Sequence, residues 1–406
     1  MIQDIQAVSV IYHDKQVGTL SIGSKTNCQF EYDKDWLANG FSISPLQLPL
    51  KAGLFTADYQ PFNGNFGIFE DSLPGGYSEY LLSKMLHKSG IDYWSLTPVQ
   101  RLSLVGSSGM GALCYVPESK MFATKTTGTF DEVQQMALDV LAEKTDENAD
   151  LLYFKSGNSG GVRPKCVFTD ADGHWLVKFR HTYDPQNMGE IEYLYNVAAR
   201  RCGIDVPEFK LIEGKFFAEK RFDIEDVGEN QTSVGENQTS VGENQTSVGE
   251  DQTSVGEDQT SVGENLAHKK RLHVATASSL LNEPISPPKM DYHSLLQLTG
   301  YLTQSSEAVE QQFRRMVFNV CANNFDDHAR NFSFICREGR WSLAPAYDLT
   351  NDRTLGEHAS TINFKGLPND EDMITVGTNI RISRTRCMEI IEEVRTVTGE
   401  VLQAFI

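Results

Sequence analysis

The sequence lacks the features that mark membrane, secreted and zinc-binding proteins. No apolar run among its 406 residues approaches the ~20 residues that span a bilayer. No basic stretch followed by an apolar stretch opens the chain, so we expect no signal peptide. Its seven cysteines form no Cys-x-x-Cys pair, and its nine histidines form no His-Glu-x-x-His cluster. These absences predict a cytoplasmic protein with reduced thiols, no zinc site and no membrane contact.

Basic residues are also scarce. Lys and Arg number 36 against 55 Asp and Glu, and the formal net charge is −19. A chain with this balance repels the DNA backbone, so direct DNA binding by the whole protein is disfavoured. A phosphate site inside a cleft stays compatible with this charge, because a few local bases can outweigh a distant acidic surface.

A short repeat occupies the middle of the chain. Between Gly228 and Val262 the heptad Gly-Glu-(Asn or Asp)-Gln-Thr-Ser-Val occurs five times, and residues 263–265 begin a sixth copy. Each copy offers a single apolar residue, so a coiled-coil seam cannot form. We therefore predict a disordered acidic insert at 228–265. It is either a tolerated loop expansion or a charged tether that screens acidic partners.

Outside the insert, the hydrophobic pattern predicts a mixed α/β chain. Alternation and turn signals predict strands at 8–12, 18–22, 112–116, 166–169, 175–179, 216–222, 332–335 and 341–344. Helical spacing predicts helices at 77–88, 191–202, 309–321 and 387–397. We expect strands and a single helix in 151–223, and a mainly helical chain after the insert.

The spacing of Asp326 and Asn331 carries the strongest chemical signal. Asp-x-x-x-x-Asn is the spacing of the protein kinase catalytic loop, in which the Asp orients the attacking hydroxyl and the Asn holds magnesium. Alone the pattern is weak, because Asp and Asn are common in turns. The predicted hairpin after Asn331 returns the chain to Asp348, where kinases place their second magnesium ligand. The alternative for Asp348 is a structural turn residue.

Features of a nucleotide site precede the insert. Residues 157–165 form a Gly-rich loop with two bases, and glycines let backbone N–H groups turn toward an anion. The loop lacks the Walker order of residues. Lys178 lies in an otherwise apolar strand after this loop, where kinases keep a phosphate-binding lysine. Glu192 or Glu190, in the next helix, could pair with it. The alternatives are a flexible loop and ordinary surface charges.

Taken in their order along the chain, the motifs resemble those of the HipA family of toxin kinases. The matching segments are 71–76, 111–113, 159–165, Lys178, 192–193, 220–223, 271–273, 324–331 and 345–348. The resemblance implies an α+β, bilobed protein-kinase-like fold related to phosphoinositide kinases. It implies an added N-terminal α/β domain at 1–120, a kinase N-lobe at 121–227 and a mainly helical C-lobe at 266–406.

The resemblance also implies roles for individual residues, with ATP and Mg²⁺ as cofactors. Asp326 would be the general base, and Asn331 and Asp348 the magnesium ligands. Residues implied to contact the nucleotide are Gly160, Gly161, Val162, Arg163, Lys165, Lys178, Glu192, Lys220, Arg221, Phe222, His328 and Tyr347. Lys178 would contact the phosphates, and Lys220 to Phe222 would form the hinge beside adenine.

The implied function is that of a Ser/Thr protein kinase toxin. Family members phosphorylate a serine on an aminoacyl-tRNA synthetase, and a small helix-turn-helix antitoxin that binds operator DNA holds them inactive. DNA contact would therefore be indirect.

Two departures from the family pattern are Asn158, at the position of a self-phosphorylated serine, and Gly75, in place of Glu. Ser159 becomes the candidate for self-phosphorylation. The alternatives are a non-catalytic kinase-fold regulator that binds an antitoxin and corepresses transcription, and a lipid or small-molecule kinase.

Overall fold

The computed structural model describes residues 4–23, 26–119, 128–158, 160–226, 269–284 and 286–405. The predicted insert at 228–265 and Ser159 lie outside these residues. Within the described ranges, no helix is both long and apolar enough to cross a membrane.

The first part of the chain builds a five-stranded antiparallel sheet. Its strands are β1 Ala7–Tyr12, β2 Lys15–Ile22, β3 Cys28–Tyr32, β4 Leu54–Thr56 and β5 Leu113–Val116, in the order β4-β3-β2-β1-β5. Four helices accompany it: α1 Lys34–Asn39, α2 Gly67–Glu70, α3 Tyr77–Lys88 and α4 Pro98–Val105. Alternate residues of β1 are buried, because one face of the sheet packs on the core.

A four-stranded antiparallel sheet follows, in the order β6-β7-β9-β8. Its strands are β6 Lys165–Asp170, β7 Gly173–Lys178, β8 Phe209–Ile212 and β9 Phe216–Lys220. Its helices are α5 Phe130–Leu141, α6 Ala149–Ser156 and α7 Met188–Arg201. The expectation of a single helix in 151–223 is wrong, because α6 extends to Ser156. That helix is buried on most of its surface and shows no apolar stripe.

The last part combines helices with short sheets. Strands β10 Ile224–Asp226 and β11 Lys269–Arg271, which precede and follow the insert in sequence, pair antiparallel. Strands β12 His273–Thr276, β13 Ser333–Arg337 and β14 Arg340–Leu343 form a three-stranded sheet in that order. The helices are α8 Ala277–Leu281, α9 Tyr292–Thr303, α10 Ser306–Cys321, α11 Asp370–Asn379 and α12 Arg384–Val401.

Helix α10 positions the segment that follows it. Ser305 caps its first turn by accepting a hydrogen bond from the backbone of Ala308. Its predicted apolar stripe is buried from Val309 to Val317 and half-buried at Val320 and Cys321, and the helix packs between α9 and α12. The helix ends at Cys321, just before the predicted catalytic loop.

The hydrophobic core crosses the boundaries between these parts. One cluster joins the first sheet to α7, α9, α10 and α12. A second cluster joins the four-stranded sheet to α5, α6 and α3. Helix α3 therefore packs on α6 through Leu81, Leu82 and Leu152, although it precedes α6 by a long stretch of chain. This packing brings the start of α3 to the Gly-rich loop.

Candidate active site

Lys178 lies at the centre of a cluster of carboxylates. It is the last residue of β7, and its side chain is 7% exposed. Its Nζ lies 2.9 Å from Asp348 Oδ1, 3.5 Å from Glu192 Oε2 and 3.6 Å from Glu219 Oε1. Burial alone lowers the pKa of Lys178, but the three carboxylates outweigh it and raise the pKa above the ordinary lysine value. Lys178 is therefore a permanent cation in this cluster.

Glu192, rather than Glu190, faces Lys178. It is buried on α7, whereas Glu190 is exposed, so the structure separates the two candidates. Glu219 on β9 was missed, because its neighbours Phe217 and Ala218 suggested a plain core strand. Burial raises the pKa of Glu219, and the charge of Lys178 opposes that effect.

Asp348, which follows β14, meets Lys178 at the end of β7. Its backbone has φ +56°, and its side chain is 32% exposed. The charge of Lys178 lowers the pKa of Asp348 against the effect of burial, so the carboxylate stays ionised at neutral pH. Among the described residues, its Oδ2 accepts no hydrogen bond and stays free for a ligand.

Asn331 carries a second candidate oxygen, in the predicted catalytic loop. It ends the 3-10 turn Ala329–Asn331, and its Nδ2 donates to the Asp326 carbonyl at 2.6 Å. That hydrogen bond leaves the amide oxygen of Asn331 as an acceptor. Among the described residues, no group of three His, Cys, Asp or Glu side chains is placed to hold a metal. Magnesium typically takes one or two protein oxygens together with phosphate oxygens and water, so an amide oxygen and a carboxylate are donors of the right chemistry for the ion.

Asp326 is the open carboxylate of the loop. Its side chain is 41% exposed, and His328 Nε2 lies 3.7 Å from its Oδ1. Burial raises the pKa of Asp326; His328 opposes the rise, while Asp348 and Asp352 add to it. A carboxylate with this exposure and raised basicity is suited to accept a proton from a substrate hydroxyl.

The next residue, Asp327, anchors the loop and was missed by sequence reasoning. Its carboxylate is fully buried, and it accepts hydrogen bonds from the Tyr292 hydroxyl at 2.8 Å and the Ser360 backbone at 3.0 Å. His358 Nδ1 lies 2.9 Å from its Oδ2. The backbone of Phe325 adds a bond to Asp352. These contacts fix the chain on both sides of Asp326.

The Gly-rich loop faces the Lys178 cluster. Lys165 pairs with Lys178 across β6 and β7, and its Nζ donates to the Gly160 carbonyl. Burial lowers the pKa of Lys165 to about 8, and the nearby Lys178 charge acts in the same direction. The side chain of Arg163 makes two hydrogen bonds to Asp184, of 2.9 and 3.1 Å.

The Gly-rich loop has free space around Gly160 and an exposed side chain at Val162. Val162 is 59% exposed, and a Cβ on Gly160 would meet no atom within 4 Å. The loop therefore has open space beside Gly160, and the Nζ of Lys165 lies close to Gly161.

The predicted hinge is only partly at the cleft. Phe222 and Tyr347 place their rings 5.5 Å apart, beside a small apolar cluster. Lys220 instead extends to Glu208 at 3.2 Å, and Arg221 forms a buried ion pair with Asp223. Ion pairs therefore hold the side chain of Lys220 at the exposed Glu208 and that of Arg221 in the interior with Asp223.

Models of known protein families match two stretches of the chain. Residues 157–401 match the model of the HipA-like C-terminal domain, and residues 8–116 match that of the HipA N-terminal domain. No curated protein sequence matches the chain significantly.

Two solved structures resemble the chain to different extents. One is from the HipA, HipB and operator DNA complex of the Shewanella oneidensis MR-1 toxin–antitoxin system. It aligns with a TM-score of 0.66 and 16% identity over 98% of this chain and 90% of that chain. The other, the Helicobacter pylori proinflammatory kinase CtkA, aligns with a TM-score of 0.34 and 14% identity over 61% of this chain and 90% of that chain.

The fold is thus a mixed α/β architecture of the HipA type. Because the family models cover most of its length, the chain belongs to the HipA family.

Proposed function

We propose that this protein is an ATP-dependent Ser/Thr protein kinase with a bilobed kinase fold. The observation that carries the proposal is the contact of Lys178 with Asp348 and Glu192, beside an open Asp326. A cation between two carboxylates, next to a free carboxylate, is the arrangement that phosphoryl transfer requires. Residues 121–227 would form the smaller lobe, and the mainly helical residues 266–406 the larger one.

Each residue has a distinct task in the proposed reaction. Bound Mg²⁺ would supply charge neutralisation for the ATP phosphates, and Asn331 and Asp348 would hold it through their oxygens. Lys178 would bind a phosphate oxygen, and Gly160 and Gly161 would offer backbone N–H groups. Asp326 would accept the proton of the attacking serine hydroxyl. The serine oxygen then bonds to the γ-phosphorus while the bond to the β-phosphate bridging oxygen breaks and ADP leaves.

The biological role we propose is that of a toxin with an antitoxin partner. The Shewanella protein of similar fold was solved with HipB and operator DNA. We therefore propose that a small helix-turn-helix protein binds this chain and mediates any contact with DNA. A chain with a net charge of −19 is unsuited to bind DNA by itself. A protein serine, on an aminoacyl-tRNA synthetase as the resemblance implies, would be the substrate.

Transfer of label from radiolabelled ATP tests the proposal. Wild-type protein should label a protein serine, and Asp326→Asn should lower the rate by a factor of about 10²–10⁴ while binding ATP normally. Asp146→Asn is the matched control, because this exposed carboxylate pairs with Lys84 and is not assigned to the chemistry. Equal labelling by wild type and Asp326→Asn would contradict the proposed base. ATP binding without any transfer by the wild type would favour the non-catalytic regulator.

A further inference from the structure

Helix α3 begins directly against the Gly-rich loop. The backbone N–H of Tyr77, its first residue, donates to the Gly161 carbonyl at 2.9 Å. Gly76 precedes it with φ +54°, and a Cβ at Gly76 would lie 2.3 Å from the same carbonyl oxygen. Gly76 thus meets two independent requirements for glycine, a left-handed backbone and a close approach to the loop.

A second contact fixes the start of the loop. The amide of Asn158, which is 3% exposed, donates from Nδ2 to Ser108 Oγ at 2.8 Å. Its Oδ1 accepts from the Tyr153 hydroxyl at 2.8 Å. Both ends of the Asn158 amide are therefore engaged, one by α6 and one by the N-terminal part of the chain. The conformation of the loop at this point depends on both partners.

The same N-terminal segment also reaches the catalytic loop. Arg330 Nη2 donates to the Glu70 carbonyl at 3.1 Å, and its Nε lies 3.9 Å from Asp71 Oδ1. A Cβ on Gly75 would lie 2.9 Å from Arg330 Nη1. Residues 70–77 therefore contact the Gly-rich loop on one side and the catalytic loop on the other.

We propose that residues 70–77 hold the Gly-rich loop of the nucleotide site in place, with Gly76 and Ser108 as positioning residues for that loop. The inference rests on the proposed function, because it assigns the loop to the phosphates. A free Gly-rich loop would lose much conformational entropy on binding an anion. A loop already held at Gly161 and Asn158 loses less conformational entropy on binding. These two contacts, together called the clamp, therefore increase affinity for the nucleotide.

The N-terminal part of the chain, on this account, strengthens nucleotide binding. It acts on the loop through two hydrogen bonds and one close approach, without touching the substrate. Its variants should therefore change the affinity for Mg·ATP more than the rate of transfer at saturating ATP.

Gly76→Ala and Gly90→Ala make a matched pair. Gly90 follows the end of the same helix with φ +73°, and a Cβ there would meet no atom within 4 Å. Both variants strain the backbone, but Gly76→Ala alone displaces Gly161. We expect Gly76→Ala to weaken Mg·ATP binding about tenfold in calorimetry. Gly90→Ala should keep the wild-type affinity and lose less melting temperature, because it carries the backbone strain without the clash. Equal affinities in the two variants would overturn the proposal.

Ser108 provides a second test that does not depend on Gly76→Ala folding. Ser108→Ala should weaken Mg·ATP binding several-fold, and Ser108→Thr, which keeps the hydroxyl, should restore it. A merely structural role would leave the affinity unchanged in the folded protein. Unchanged binding in Ser108→Ala would therefore contradict the role assigned to Ser108.

Hydrogen exchange over residues 157–165 separates this inference from the proposed function. Faster exchange there in Gly76→Ala than in Gly90→Ala supports the clamp even if the wild type binds no ATP, in which case the kinase proposal fails alone. Equal exchange in both variants shows that residues 70–77 do not hold the loop. That result would refute the clamp whatever the fate of the kinase proposal.

Discussion

Replacing Lys178 with methionine should destabilise the protein strongly and in a pH-dependent way. The side chain is 7% exposed and compensates three carboxylates at 2.9, 3.5 and 3.6 Å. At an effective dielectric constant of ~20, each such contact carries roughly 4–6 kcal/mol of attraction, which desolvation largely offsets. Removing one partner of a buried ion cluster leaves uncompensated charge, so we expect a loss of about 3–5 kcal/mol in the free energy of unfolding at pH 8.

The sign of the pH dependence follows from the carboxyl groups left behind. Burial already raises the pKa of Glu219, and the variant removes the Lys178 charge that lowers the pKa of Asp348. Folded Lys178→Met therefore binds protons as the pH falls toward 5, whereas the unfolded chain stays ionised until about pH 4.5. The loss of stability should consequently be larger at pH 8 than at pH 5.

Urea unfolding of Lys178→Met at both pH values measures this effect. Lys220→Met is the control, because its partially exposed pair with Glu208 at 3.2 Å should contribute at most about 1 kcal/mol. A loss no larger than that of the control, or an equal loss at pH 5 and pH 8, would refute the assignment of Lys178 as the charge that balances the cleft.

Three further predictions concern neighbouring residues. Mg·ATP affinity should fall as the pH rises through about 8, because Lys165 then loses its proton. Calorimetry across this pH range should find that the affinity of Lys165→Arg changes less with pH. Glu192→Gln should lower kcat/KM for ATP about tenfold by releasing Lys178, whereas exposed Glu190→Gln should leave kinetics unchanged. Asp327→Ala should cost about 3–5 kcal/mol in urea unfolding, because it leaves buried donors of Tyr292 and Ser360 unpaired.

Local sequence patterns located the central elements well. The stripe through Phe313 and Val317 predicted α10, and the Asp172-Gly173 turn predicted the β6–β7 hairpin that ends at Lys178. These features depend on neighbours in sequence, where periodicity and turn chemistry act. The structure also brings Lys178 to Asp348, as the kinase-like order of motifs suggested.

Contacts between distant segments could not be predicted in this way. Nothing near Gly76 in the sequence indicates that it touches Gly161, since that contact depends on the packing of α3 on α6. Glu219 looked like a residue of an ordinary strand until β7 placed Lys178 beside it. Lys220 shows the opposite case, in which an ion pair holds a suggested nucleotide residue at the exposed Glu208.

A crystal structure with Mg²⁺ and a non-hydrolysable ATP analogue tests the central claim most directly. The account predicts a metal about 2.0–2.1 Å from the oxygens of Asn331 and Asp348, with Lys178 on a phosphate oxygen. The γ-phosphate should face the open carboxylate of Asp326. A nucleotide bound elsewhere, or a metal held without Asn331 and Asp348, would contradict the account.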